Sequence, residues 1–536
     1  MNETGQQKKP SLKSQSAWLL FAKIVGFGFA FLLPLLVVRF LSQEKVGVYR
    51  QVFLVIANAV SILPLGFSMS AFYFLNRETA ARRGAVVFNI LLFNFAIGGA
   101  ACLVLFLFPQ WLGNLFRNAE MTSLAPKIGV VVWLWIFSAF LETVAVANQE
   151  SRLATVFIIL AQLTKTVLMA LAVLIFATVE SFLYAAMAQA ALQTLVLLVY
   201  LNSRFPRFWR QFDFAFFRVQ MFYALPFGLA GLLWTLQTDI HNYFVGYRFS
   251  TAEFAVYAYG CFQLPLLAML SESVTSVLIP RMSELQARGD KAEMIRLTAR
   301  AMQKLAFFFF PVYVFLFITA ETFITTLFTG KFAASVPIFL INLTLLPFDI
   351  WVIDPITRAF KELGRFLLTL RVVVLVMMVA ALYYGIQYFD LRGMIAIVVV
   401  TSVTERFVSS FLIARKLGVR SADARLLNGI WKTAFASLAA GVVLFLIYWL
   451  ARDFLHNLGA NIVNAMFAAP KPSIADFAAG AFTLGVCFAV FAPVYLILAN
   501  AFDLMDDEEK AFIRTVFSKI RFFKGQADSR PLTTDR

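Results

Sequence analysis

Residues 18–49 read WLLFAKIVGFGFAFLLPLLVVRFLSQEKVGVY. The run 18–40 is almost wholly apolar. As an α-helix rising about 1.5 Å per residue, it covers the roughly 30 Å of a bilayer's hydrocarbon core. The polar turn Ser42–Tyr49 then starts a second apolar run. Working outward, such runs recur to Phe502. We place spans at about 18–40, 48–74, 86–108, 128–147, 154–176, 181–201, 222–245, 254–279, 301–320, 334–357, 366–388, 393–414, 431–450 and 478–502. With 61% hydrophobic and 14% charged residues and a mean hydropathy of +0.79, this is an all-α polytopic membrane protein of about fourteen transmembrane helices. No soluble domain of any size is expected. The longest loop outside the spans runs from Ala451 to Phe477.

A net charge of +16 in a soluble protein would suggest nucleic acid. Here the sidedness of the charge accounts for it, and no nucleic-acid partner is expected. Of the 46 Lys and Arg residues, 33 fall in one alternate set of loops and tails and nine in the other, with four inside spans. The positive-inside rule then puts the rich set and both termini in the cytoplasm, which requires an even number of spans. The first apolar run is too long for a cleavable signal and has no small-residue site after it.

The opening turn is repeated. Ser42-Gln-Glu-Lys-Val-Gly-Val-Tyr49 and Ser250-Thr-Ala-Glu-Phe-Ala-Val-Tyr257 both fit S-x-x-[KE]-x-[GA]-V-Y, 208 residues apart. A fainter echo pairs Ala147-Asn-Gln-Glu150-Ser-Arg152 with Ala359-Phe-Lys-Glu362-Leu-Gly-Arg365. A six-span unit therefore occurs twice. Six is even, so the halves lie parallel, one of the transporter architectures. The expected domains are a cytoplasmic tail (1–14), an N-terminal six-helix lobe (15–203), an interfacial linker (204–221), a C-terminal six-helix lobe (222–420), two extra helices (421–502) and an amphipathic cytoplasmic tail (503–536).

Arg50, Lys304, Arg371 and Lys432, each within five residues of a span end, are counted with the loops. Ten charged residues are assigned to the spans: Lys23, Arg39, Glu142, Lys165, Asp239, Glu272, Asp349, Asp354, Glu405 and Arg406. Each costs about 2.5–3.5 kcal/mol at the bilayer centre on insertion scales. They must mostly face an interior, a wet cavity or the interface. Lys165, Asp349, Glu405 and Arg406 lie nearest mid-span. A neutral Glu142–Lys165 pair on adjacent helices is the plain structural alternative. In-span glutamines such as Gln162, Gln189 and Gln193 would suit sugar hydroxyls, or simply tie helices together. Pro34, Pro64, Pro226, Pro265 and Pro493 mark candidate breaks or gates. No Walker A motif and no zinc-ligand spacing occurs, and Cys102, Cys261 and Cys487 lie in spans. No cofactor, metal or disulfide framework is expected, and no catalytic residue.

The stretch 39–78, RFLSQEKVGVYRQVFLVIANAVSILPLGFSMSAFYFLNRE, resembles the start of the polysaccharide-biosynthesis (Wzx-type) lipid-linked oligosaccharide flippases of the multidrug/oligosaccharidyl-lipid/polysaccharide exporter superfamily. So do residues 224–265 with Asp239 before the turn, VLIPRMSEL at 277–285, and the turn Glu362–Arg365. The resemblance spans about residues 15–420. It implies a V-shaped pair of six-helix lobes around a central cavity. It also implies passage of an undecaprenyl-pyrophosphate-linked glycan (an O-antigen, capsule or exopolysaccharide unit) from inner to outer leaflet of the bacterial inner membrane by alternating access. Its implied partners are the lipid-linked oligosaccharide, membrane lipid and polysaccharide polymerase machinery. By depth and sign, Lys23, Lys165 and Arg406 are the candidate cavity cations for the pyrophosphate, and Asp349 or Glu405 is the candidate carrier of a coupled proton or sodium ion. Two departures stand out: in-span acids outnumber bases six to four, and the arginine-rich first span of the peptidoglycan-precursor flippases is missing. The alternatives are a cation-coupled multidrug exporter of the same superfamily and, from another class, a membrane glycosyltransferase or ligase.

Overall fold

The computed structural model describes residues 12–466, 472–505 and 510. Among them there is no strand. The helices are α1 (Leu12–Phe40), α2 (Gln43–Ile62), α3 (Ser70–Phe74), α4 (Ala80–Leu107), α5 (Gln110–Phe116), α6 (Ala119–Ser138), α7 (Phe140–Ala147), α8 (Ser151–Ile175), α9 (Val179–Arg204) and α10 (Phe214–Arg248). They continue as α11 (Thr251–Gly260), α12 (Pro265–Ala287), α13 (Lys291–Ile318), α14 (Ala320–Phe328), α15 (Val336–Leu343), α16 (Asp354–Ala359), α17 (Lys361–Gly385), α18 (Leu391–Leu417), α19 (Asn428–Met466) and α20 (Pro472–Ala501). Among the described residues twelve helices are long and apolar enough to cross a membrane, or thirteen if α11 and α12 count as one broken span. Fourteen were expected. The first expected span is the one not among them, although α1 runs as one helix from Leu12 to Phe40.

Two expectations about loops need correction. The expected interfacial linker 204–221 is not a segment apart from the spans. It is a 3-10 turn, Phe208–Arg210, followed by the first two turns of α10. The Asp213 carboxylate accepts from the Phe216 amide and caps α10, which then runs unbroken through Pro226 for 35 residues. The stretch after Trp449 does not leave the helix either. With no proline before Pro470, α19 continues for 39 residues, about 58 Å at 1.5 Å per residue.

The proline signals divide. Pro34, Pro226 and Pro493 sit inside continuous helices. Pro64 lies in the turn that ends α2, and Pro265 is the first residue of α12. The expected second and eighth spans are thus both broken. The fourth and tenth are broken too, at Ala139 between α6 and α7 and over residues 344–353 between α15 and α16. Both pairs are six spans apart, as duplication requires.

Contacts gather the chain into two compact units. The first takes in the described residues up to Phe262 with Leu327–Phe339 and Leu368–Thr401; the second takes in Gln263–Thr326, Leu340–Leu367 and the described residues from Ser402. This contact boundary is distinct from the duplication boundary expected at 204–221.

In the first unit, the repeated turn becomes two matched helix starts. Ser42 and Ser250 have near-identical extended backbones (φ −69°, ψ 160° and φ −62°, ψ 161°), and each side chain accepts from the amide three residues on. That is the serine's function in the motif: it satisfies an orphan donor of the first turn. At Ser250 the box closes, since Glu253 accepts from the Ser250 amide at 2.9 Å. Helices α2 and α11 pack on one another. The small sixth position of the motif explains how: a Cβ on Gly47 would lie 1.9 Å from the Thr251 carbonyl oxygen. Val48, Tyr49, Val256 and Tyr257 are all buried. The break after α2 is seated in the same way. Leu65 and Gly66 take positive φ (48° and 66°), and a Cβ on Gly228 of α10 would lie 2.1 Å from the Leu65 carbonyl oxygen. Beside it Phe67, Phe74, Phe140, Phe205 and Phe208 form an apolar cluster. In the second unit, α19 and α20 pack through Ala436, Ala440, Leu444, Cys487 and Phe491.

Candidate functional site

Four helices of the first unit bring polar groups together inside their spans. On α6, Trp135 donates its indole N–H to the Gln189 amide oxygen of α9 at 3.1 Å. Gln189 donates to Gln193 at 2.6 Å, and Gln193 donates to the Ser138 carbonyl at 3.3 Å. Lys165 of α8 places its ammonium 4.2 Å over the Trp135 ring. Glu142 of α7 lies within electrostatic reach of Lys165. Lys165 is half-buried and Gln189 is buried. A membrane-embedded ammonium, an indole and two amides therefore form one continuous array. Cations hold phosphate oxygens, amides bond hydroxyls, and an aromatic face accepts a sugar's apolar side. Helix α1 packs along α8: Thr166 donates to the Phe29 carbonyl at 3.2 Å, and Gly26 faces Gln162. Lys23 lies in α1, but its side chain is outside the described residues.

A second cluster joins α2 and α10. Asn58 donates to the Tyr243 hydroxyl at 3.0 Å. Asp239 bonds to Asn58 and is acted on by Arg50, whose guanidinium sits 5.4 Å over the Tyr259 ring. Nearby, Asn118 donates to Gln51 at 3.3 Å, and buried His241 shares a 2.7 Å hydrogen bond with the Tyr257 hydroxyl.

In the second unit, Asp349 and Arg406 form an ion pair. Asp349 lies on the 3-10 turn Leu346–Ile350 within the break in the tenth expected span, and Arg406 lies on α18. Phe348, Trp351 and Phe407 pack beside the pair, with Trp351 and Phe407 centroids 4.7 Å apart. Irregular backbone at membrane depth survives only where protein buries it or it lines a wet cavity. Phe348 and Trp351, both half-buried, cover part of this break.

The other expected residues divide as follows. Arg39 donates to the carbonyls of Leu35 and Leu327 at 2.6 and 3.1 Å. Asp354 pairs with Arg358 at 3.0 Å on the one turn of α16. Glu272 is exposed on α12, and Glu405 is half-buried on α18 beside Arg406. The excess of acids over bases within the spans thus largely disappears on folding. Glu142 faces Lys165, Asp239 faces Arg50, Asp349 pairs with Arg406, and Asp354 with Arg358. Two of those cations, Arg50 and Arg358, belong by sequence to loops.

Sequence reading missed Trp135 as a partner of Lys165, and it missed a pair of matching ion pairs. Glu150, which precedes α8, binds Arg204 at the end of α9 at 2.8 Å. Glu362, at the start of α17, binds Lys416 near the end of α18. The partners are 54 residues apart in both cases, and both clasp a helix pair at the Arg-rich end. That equal spacing was the signal available.

Residues 14–337 match the profile of a family described as polysaccharide biosynthesis protein. No curated protein matches the sequence closely enough to be a relative. Among solved structures, the fold is similar to the lipid II flippase MurJ in an inward closed conformation, with a TM-score of 0.66 at 15% identity over 91% of this chain and 98% of that one. It is also similar to an inward-facing multidrug resistance MATE family transporter of the MOP superfamily (TM-score 0.57, 16% identity, 74% of this chain and 95% of that one). A MOP superfamily transporter from Pyrococcus furiosus matches with a TM-score of 0.53 at 18% identity, over 76% of this chain and 97% of that one. At these identities the likeness is one of fold.

Proposed function

Since the chain belongs to the polysaccharide biosynthesis protein family, we propose that it is a flippase for an undecaprenyl-pyrophosphate-linked oligosaccharide, carrying the headgroup from inner to outer leaflet by alternating access. A polar headgroup cannot cross unaided, because one hydroxyl moved into hydrocarbon without a partner costs about 4–8 kcal/mol. The observation that carries the reading is the array of Lys165, Trp135, Gln189 and Gln193. It offers a cation for pyrophosphate and amides for sugar hydroxyls within the membrane. Lys165, with Lys23 on the adjoining helix, is the cation we assign to the headgroup. Arg406 and Asp349 act as one unit, Arg406 meeting the pyrophosphate when Asp349 or its neighbour Glu405 takes up the coupling ion. The charge asymmetry supports a bacterial inner-membrane location with both termini cytoplasmic, and a polysaccharide polymerase would receive the product.

The multidrug-exporter reading drew on the surplus of in-span acids. With those acids facing cations, a site selective for cationic dyes loses its main support. The test is Lys165→Ala, Lys165→Met and Lys165→Arg expressed in a strain deleted for the chain, with surface glycan measured at matched protein level. Loss of export in the Ala and Met variants and partial retention in Arg is expected. Full export from Lys165→Ala refutes the assignment.

A further inference from the structure

The second unit holds an apolar cavity that the transport reading does not use. It encloses about 340 Å³, near the lower end of small-ligand sites at roughly 300–1,000 Å³. Its walls are the first turns of α13 (Ile295, Met302), the non-helical stretch and α16 after the tenth-span break (Trp351, Ile356), and the end of α18 (Ile413, Leu417). These are the ends of three spans at the Arg-rich face. The polar groups are few and mostly spent. The Thr298 hydroxyl donates to the Met294 carbonyl at 2.8 Å. The Asp423 carboxylate accepts from the Arg420 amide at 2.8 Å, capping the 3-10 turn Ser421–Leu427. Arg420 also lines the cavity, and it is exposed. It belongs to a segment with five basic residues between 415 and 432.

We propose that this cavity holds one acyl chain of an anionic membrane phospholipid, whose phosphate meets Arg420. Three observations support that occupant. The walls are mainly apolar, with Thr298, Ser410, Arg420 and Asp423 the polar residues on them. The volume suits a single acyl chain and is far too small for a long polyprenyl tail, which separates this site from the transported lipid. The exposed guanidinium at the mouth complements a phosphate, and basic pockets between membrane helices on the cytoplasmic side bind anionic headgroups. Bound lipid would brace Trp351, and through its contact with Phe407 the break that carries Asp349. The proposal does not rest on the identity of the transported substrate.

The test uses the full chain, purified in detergent, stripped of lipid and offered phosphatidylglycerol or phosphatidylcholine, with retained lipid counted by native mass spectrometry. The wild type should retain phosphatidylglycerol in preference. Arg420→Gln should cut that preference roughly fivefold, equivalent to about 1 kcal/mol for one cation at a lipid surface. Ala414→Trp, and separately the milder Ala299→Leu, should lose the retained lipid while keeping the helical circular dichroism of the wild type. The proposal is overturned if a folded cavity variant retains as much phosphatidylglycerol as the wild type, or if Arg420→Gln keeps the full preference. It is equally overturned if undecaprenyl phosphate displaces phosphatidylglycerol from the wild type at lower concentration than phosphatidylglycerol itself.

Discussion

Removing one partner of the Asp349–Arg406 pair should cost more than removing both. The side chains are 36% and 28% exposed and sit beside Phe348, Trp351 and Phe407. A lone charge at mid-bilayer costs about 2.5–3.5 kcal/mol. With about a third of each side chain exposed, that falls to about 2 kcal/mol. Asp349→Asn leaves Arg406 unpaired, and Arg406→Met leaves Asp349 unpaired, so each single variant should lose about 2 kcal/mol. The double variant leaves no charge and gains an apolar side chain beside aromatic rings. It should cost no more than either single, a coupling of about 2 kcal/mol. Reversible SDS titration of the purified protein, followed by circular dichroism, measures all three. Additive losses, near 4 kcal/mol for the double, would show that the two groups are solvated independently and that the pair is not the unit argued here. The same three variants separate stability from transport: if Asp349 takes part in ion coupling, the double variant stays folded but exports no glycan.

Further outcomes follow from the close approaches and the repeated pairs. Gly228→Ala sets a methyl against the Leu65 backbone and should cost about 1–3 kcal/mol, as overpacking does; Gly231→Ala, with open space around it, should be near neutral in the same titration. Gly47→Ala should separate α2 from α11 and lower the thermal midpoint, whereas Ala255→Gly should cost no more than about 1 kcal/mol, the usual helix-interior glycine penalty. The Glu150–Arg204 pair is partly exposed, so neutralising it should cost only about 0.2–1 kcal/mol, and neutralising the more exposed Glu362–Lys416 pair should cost less. Charge reversal of both members of one pair should restore most of that loss, which a double-mutant cycle would detect. Lys165→Arg should retain more export than Lys165→Met at equal abundance, because the Met variant keeps the packing on Trp135 but loses the charge.

Much of the fold was legible because membrane insertion writes itself into long apolar runs. The duplication was visible in Ser42–Tyr49 and Ser250–Tyr257, where a capping serine and a small residue at a helix contact are both local requirements. Helix breaks were harder to read. Pro64 and Pro265 end helices, yet Pro34, Pro226 and Pro493 do not. A proline's missing hydrogen bond can be absorbed by a membrane helix, so the residue alone does not decide the outcome. The breaks at Ala139 and over 344–353 carry no comparable local mark. Depth singled out Lys165, Asp349, Glu405 and Arg406, but depth along a helix does not reveal which neighbour a side chain meets. Hence Arg50, counted as a loop residue, lies beside Asp239, and Trp135, counted only as apolar, lies under Lys165.

The central claim is that this chain moves a glycan-bearing lipid headgroup across a bilayer. It is tested most directly by reconstituting the purified chain into liposomes with an undecaprenyl-pyrophosphate-linked oligosaccharide and following the fraction of headgroups open to an added glycosidase. The account predicts faster equilibration between leaflets than in protein-free liposomes, lost in Lys165→Ala. Equilibration at the protein-free rate, in vesicles where the same protein drives efflux of a cationic dye, would contradict it.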